Sequence, residues 1–309
     1  MRVVFLGSGA FAIPSFEALL GAGHEIAACV TQPDREKGRG RALSPPPLKP
    51  VAESHGVPVL QPRRIKEAEA FETLRALSPD VQVVVAYGQI IPQAVIDIPR
   101  LGTVNVHGSL LPRYRGAAPI QWAIVNGEQE TGVTTMLIDA GLDTGPTLLA
   151  RAVRIDDDET AADLEARLAR VGAKVLLETL DGLAAGTLEA VPQDHSQATL
   201  ARPLRKEDAR IDWTLPAPVL ARRVRGFHPW PGAVTSVDGR ALRVLAARPE
   251  QGHDAPPGTV VLLDREGVLV AAGSATALRL QEVQPESRRP MTATAFAAGA
   301  RLNVGARFD

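Results

Sequence analysis

The 309-residue sequence holds one cysteine, Cys29, so no disulfide can form within the chain and no thiolate cluster can hold zinc. Cys29 lies in an apolar, strand-like run and reads as a small buried hydrophobe. The six histidines (His24, His55, His107, His195, His228 and His253) show no metal-ligand spacing, and no metal is expected. No stretch approaches the roughly 20 apolar residues that cross a bilayer, which argues against a membrane partner. The sequence enters a strand at once, without a charged leader or a small-residue cleavage site, so no export is expected. These absences together point to a reducing, cytoplasmic setting. Lysine is scarce as well, since 29 of the 34 basic residues are arginine. The net charge of −1 is unevenly spread, −4 over residues 1–205 and +3 over residues 206–309. So small a basic excess is a weak pointer to a polyanionic partner.

What is present describes an ordinary globular chain, with 45% apolar residues and a mean hydropathy of +0.00. Its length is about twice that of a usual domain, so two domains are expected. Short apolar runs at 2–6, 25–30, 57–60, 81–86, 103–107, 132–138 and 147–155 read as strands. Helical patterns at 11–22, 48–54 and 66–77 alternate with them. This alternation predicts an α/β, Rossmann-like domain, its sheet largely parallel with helices on both faces. A long amphipathic helix follows, capped by Asp158 or Thr160 and ending near Gly182 or Gly186. Periodicity then fades over residues 187–205. Beyond, short strands split by Asp-Gly, Glu-Gly and Gly-Ser turns predict a small OB-like β-barrel with almost no helix. The expected division is a first domain at 1–189, a linker at 190–207 and the barrel at 208–309.

The first strand leads into Gly7-Ser8-Gly9-Ala10-Phe11-Ala12, a GxGxxA turn of the kind that binds dinucleotides. A dinucleotide site needs an acid at the end of the second strand to hold the ribose. Here that strand ends in Val30, Thr31 and Gln32, and the nearest acid, Asp34, follows Pro33. The fingerprint fails its own test, and no NAD is expected.

A different constellation carries chemistry. In "TVNVH", residues 103–107, Asn105 and His107 are two apart and point to one face at the strand's carboxyl end. Ligands of open α/β sheets bind at that edge. An amide beside an imidazole suits an oxygen that gains negative charge, although a polar pair closing a strand is as readily structural. Further on, "LIDAGLDTGP" carries Asp139 and Asp143 in a glycine-rich turn. A carboxylate there can orient His107 or accept a proton, or merely bond its own turn.

Taken together, "NVHGSLLPRYRGAAPIQWAI" and "GLDTG" resemble the hallmark segments of the folate-dependent formyltransferases. The resemblance extends through "TQPDREKGRGR" (31–41), "VVVAYGQIIP" (83–92), "KEDARIDW" (206–213), "RGFHPWPGA" (225–233) and "RRPMTATAFAAGARLNVG" (288–305). It implies formyl transfer from 10-formyltetrahydrofolate by a catalytic trio of Asn105, His107 and Asp143. Ser109, Leu110, Leu111 and Pro112 take the place of the family's folate-contacting loop. Tyr87, Gly88 and Ile90 fall where it lines a pterin pocket, mostly with backbone groups.

The same resemblance implies that the acceptor is the α-amino group of methionyl-initiator tRNA. Arg35, Lys37, Arg39 and Arg41 fall in the loop that enters the acceptor arm, with Arg39 at its key arginine. A small barrel often binds oligonucleotides, and within it Arg222, Arg223 and Arg225 cluster beside Trp230 around the start of "GFHPWPGA". A monomer is implied. The family's first turn usually carries proline where this chain has Gly9. A small nucleotide or sugar amine as acceptor, a nicotinamide oxidoreductase and a non-catalytic nucleic-acid module are the competing readings.

Overall fold

The computed structural model describes residues 1–37 and 42–309. Two compact units form, one from Met1–Gly116, Thr131–Arg154 and Glu165–Ala201, the other from Ala117–Glu130, Ile155–Leu164 and Arg202–Asp309.

In chain order, β1 (Arg2–Gly7) turns through a 3-10 segment, Ala10–Ala12, into α1 (Ile13–Gly21). There follow β2 (Glu25–Val30), an antiparallel pair β3 (Arg35–Lys37) and β4 (Ala42–Ser44), α2 (Leu48–Ser54) and β5 (Val59–Leu60). Next come α3 (Ala68–Ala76), β6 (Val81–Val85), α4 (Gln93–Ile96), β7 (Thr103–His107) and β8 (Arg115–Gly116). After α5 (Pro119–Asn126), β9 (Glu130–Leu137) and β10 (Thr147–Arg154) precede α6 (Ala161–Ala185) and β11 (Leu200–Ala201). Thr160 caps α6 with Asp163 in a reciprocal pair of hydrogen bonds.

The main sheet runs β10-β9-β7-β6-β1-β2-β5. Its strands β7, β6, β1, β2 and β5 are parallel, while β9 runs antiparallel to β7. Strand order reverses between β1 and β6, the place at whose carboxyl ends open α/β sheets bind their ligands. The near-continuous apolar runs of β1 and β6 follow from their place in the centre, where both faces are buried.

The second unit is an antiparallel sheet of β12 (Ala233–Val237), β13 (Arg240–Gln251), β14 (Val260–Asp264), β15 (Gly267–Ala272) and β16 (Thr276–Pro285). A short β17 (Met291–Thr292) pairs with β16. The order is β12-β13-β16-β15-β14. Residues near the end of the chain bridge its two edges: Phe308 pairs with Val237 on β12, and Arg307 with Thr259 just before β14. The result is a small barrel around Leu242, Val268, Leu278, Val283 and Phe308.

One expectation is corrected here. This unit carries α7 (Ala217–Gly226) and α8 (Ala293–Ala300), where almost no helix was foreseen. On α7 the buried residues are Ala217, Leu220, Ala221, Val224 and Gly226, and its three arginines hide that period. On α8 the buried residues are alanines, Ala293 and Ala297, too small to mark a face by hydrophobicity. No helix among the described residues is long and apolar enough to cross a membrane.

Candidate active site

β7 carries Asn105 and His107 to the carboxyl edge of the sheet, beside the reversal of strand order. His107 is 6% exposed. Its Nε2 lies 2.9 Å from the carbonyl of Tyr114, which can only accept, so Nε2 carries the hydrogen. Nδ1 is therefore the nitrogen left for chemistry, and it faces Oδ2 of Asp143 at 3.7 Å. Asn105 directs Nδ2 at Oδ1 of the same carboxylate, 3.4 Å away. A second donor, the Gly116 N–H, bonds Oδ2 at 2.8 Å. Positions 105, 107 and 143 thus converge.

The two acids of the turn divide their work. Asp139 accepts from Gly141 N at 3.0 Å and from Thr144 Oγ1 at 2.6 Å, and so shapes the turn itself. Asp143 turns toward β7. Its φ of +52° places a non-glycine residue in the left-handed region, a strain that persists only where surroundings impose it.

The opening glycines serve the sheet. A Cβ on Gly7 would come within 2.8 Å of the Phe5 ring and 3.0 Å of the Val85 carbonyl. Ser8 Oγ accepts from Gln32 N at 2.9 Å, tying the turn after β1 to the end of β2. Where a ribose-binding acid would stand there is thus an amide. Asp34 bonds Gln61 at 2.7 Å and Lys49 at 3.0 Å, contacts that hold its carboxyl below the usual range. Among the described residues no group of three or more His, Cys, Asp or Glu is placed to hold a metal.

Residues 1–180 match the family described as formyl transferase, and residues 203–301 match formyl transferase, C-terminal domain. The chain belongs to the formyl transferase family. The methionyl-tRNA formyltransferase of Solibacter usitatus is 53% identical over 302 residues, 98% of this chain and 96% of that protein. That of Geobacter sulfurreducens is 48% identical over 307 residues, covering 99% of this chain and 96% of its own. Among solved structures, HypX from Aquifex aeolicus in complex with tetrahydrofolic acid superposes with a TM-score of 0.67 at 19% identity. That match covers 98% of this chain and 48% of that one, a likeness of fold.

Around the trio of this formyltransferase, the loop 109–112 has a buried base and a partly exposed tip. Ser109 is buried, and its hydroxyl donates to the Arg113 carbonyl at 2.6 Å, so it shapes the loop. Thr134 Oγ1 donates to Ser109 O and accepts from Leu111 N. Leu110, Leu111 and Pro112 are half-buried. Ala86 and Gly88 both have positive φ, which turns the chain sharply after β6. Tyr87 sends its ring into the core with Leu6, Val84 and Val95, where burial pushes its phenol upward. Its carbonyl accepts from Gln32 and Ser8, so the residue is buried throughout. Ile90 is 94% exposed.

The arginines singled out from sequence of this formyltransferase fall into two groups. Arg35 is exposed and bonds Gln32 Oε1 at 3.0 Å; Lys37 ends β3. Arg39 and Arg41 lie outside the described residues. On α7, Arg222 donates to Val125 O at 3.4 Å, Arg223 to Asp208 O at 2.9 Å and Arg225 to Glu159 O at 2.8 Å. Each braces the second unit through a main-chain carbonyl, while Trp230 is 52% exposed. Arg115 and Gln193, behind Asp143, escaped the sequence reading, because 78 residues separate them and no local pattern marks either.

Proposed function

We propose that this formyltransferase moves the formyl group of 10-formyltetrahydrofolate onto the α-amino group of methionyl-initiator tRNA, giving N-formylmethionyl-tRNA for translation initiation. The observation that carries this reading is the meeting of Asn105, His107 and Asp143 at one sheet edge. The acceptor is supported by the names of relatives 48% and 53% identical across nearly the full length of both partners.

The folate supplies the activated formyl group and becomes tetrahydrofolate. Loop 109–112 and the main chain of 87–90 fit such a ligand, because a sharply turned, partly exposed backbone offers hydrogen bonds and apolar surface side by side. Within the chain, Asn105 Nδ2 donates to the formyl oxygen as it gains negative charge. His107 presents Nδ1, and must carry a proton there to act as a second donor, because Nε2–H is engaged by Tyr114. Asp143 supplies the opposite charge and takes the proton released by the attacking amine. A new C–N bond forms to the amine, the old one to the folate nitrogen breaks, and the proton ends on that nitrogen. Gly116 keeps the carboxylate aimed throughout.

In this reading residues 1–189 catalyse, 190–207 link and 208–309 engage tRNA, as a monomer in the cytoplasm. Arg35, Lys37, Arg39 and Arg41 reach the acceptor arm, and Arg222, Arg223 and Arg225 meet phosphate.

The test offers 10-formyltetrahydrofolate with charged methionyl-initiator tRNA, a glycinamide nucleotide or an amino-sugar nucleotide, and measures the formylated product of each. The reading expects formylation of the charged tRNA alone, with an apparent KM that rises steeply with salt. Faster formylation of either small amine would overturn it.

A further inference from the structure

We infer that Arg115 and Gln193 form a strut that positions Asp143, so that residues 193–201 belong to the catalytic apparatus although neither family match includes them. The inference rests on the role proposed for Asp143.

Both side chains are buried, Arg115 at 6% and Gln193 at 8% exposure. Gln193 Nε2 donates one hydrogen to the Asp143 carbonyl at 2.9 Å and the other to the Gly145 carbonyl at 2.7 Å. Its Oε1 accepts two bonds from the Arg115 guanidinium, at 3.1 Å and 2.6 Å. Carbonyls can only accept and guanidinium N–H can only donate, so the amide has one permitted orientation and every valence is filled. Arg115 also donates to Nδ1 of His195 at 3.1 Å.

The same two segments hold the rest of the site. Arg115 N donates to Thr199 O at 2.9 Å, and Thr199 Oγ1 accepts from Tyr114 N at 2.8 Å. Tyr114 in turn carries the carbonyl that orients His107. Next in sequence, Gly116 has φ +114° and bonds the Asp143 carboxylate. A Cβ there would lie 2.7 Å from the Ala201 carbonyl, so only glycine allows β8 to pair with β11. Asp143 is gripped by its own carbonyl from Gln193 and by its carboxylate from Gly116. A left-handed aspartate needs such outside constraint, and a side chain that only filled space would not match two carbonyls and a guanidinium atom for atom.

The test uses Gln193→Ala and Gln193→Glu in the full chain, with and without Asp143→Ala. Gln193→Glu keeps volume and the Arg115 bonds but removes both donors to the carbonyls. Both single variants are expected to lower kcat about 10- to 100-fold, the scale of a misplaced catalytic group. KM for folate and for methionyl-tRNA should stay within about twofold of wild type, which separates lost positioning from lost fold. In the Asp143→Ala background neither should lower kcat further. Wild-type kcat in Gln193→Glu beside an impaired Asp143→Ala would overturn the strut alone, as would fully additive losses. Wild-type kcat in Asp143→Ala would overturn the role of Asp143 and the strut with it.

Discussion

Replacing Asp143 by asparagine changes one atom of the site and no volume, yet its surroundings reject the change. The carboxylate accepts from the Gly116 N–H at 2.8 Å and Asn105 Nδ2 at 3.4 Å, with His107 Nδ1 at 3.7 Å from Oδ2. An amide must turn its NH2 toward one of them. If it faces Gly116, two donors oppose each other and a charge-assisted bond of about 1.5–3 kcal/mol is lost. If it faces Asn105, the Asn105 amide must flip, and its NH2 leaves the formyl oxygen. Either way the acceptor for the amine's proton is gone, a group whose loss typically costs about 10²- to 10⁴-fold in rate. Asn tolerates the left-handed backbone as well as Asp does, so φ +52° is no obstacle to folding. The expected outcome for Asp143→Asn is a single-turnover rate about 10²- to 10⁴-fold below wild type, about 3–5.5 kcal/mol, with the fold intact. The assay mixes excess enzyme with saturating formyl donor and methionyl-tRNA and counts formylmethionine after deacylation. A rate within about threefold of wild type would refute the reasoning.

Three further outcomes are expected. Gly9 has φ −78° and ψ 170°, and the nearest atom to a Cβ there is 3.9 Å away, so Gly9→Pro should stabilise the chain by about 0.4–1 kcal/mol in thermal unfolding without slowing catalysis. A lower melting temperature would contradict that reading of the turn. Replacing Arg39 by Ala should raise KM for methionyl-tRNA while folate KM holds, and a rise in folate KM instead would remove Arg39 from the tRNA side. In the barrel, the buried Arg279 bonds Glu250 and Asp264, and its hydrogen bond holds the Glu250 carboxyl below the usual range. Stability from that pair is present above the ordinary glutamate value and fades as pH falls through the depressed one. Arg279→Met should therefore cost about 1–3 kcal/mol at pH 7 and progressively less below about pH 4, and a pH-independent cost would assign Arg279 to packing alone.

The parallel sheet was legible because its strands are buried on both faces and bounded by turn residues. "EIAACV" and "TVNVH" define β2 and β7 to the residue. Asn105 and His107 were legible because a two-residue spacing on a strand fixes a shared face. Asp143 could be paired with them only through the family resemblance, since its approach depends on a turn 38 positions away. Arg115 and Gln193 had no sequence signal. Their meeting depends on β8 pairing with β11 across a stretch that lacks hydrophobic period. α7 and α8 were hidden for a related reason, arginine masking one apolar stripe and alanine flattening the other.

The account centres on the formyl oxygen being held by the Asn105 amide. Its most direct measurement is the single-turnover rate of formyl transfer by Asn105→Ala at saturating 10-formyltetrahydrofolate and methionyl-tRNA, with the binding of each substrate measured alongside. The account predicts a fall of about 10²- to 10³-fold, the usual loss for one oxyanion donor, with both affinities unchanged. A near-normal rate, or a fall explained by weaker substrate binding, would contradict it.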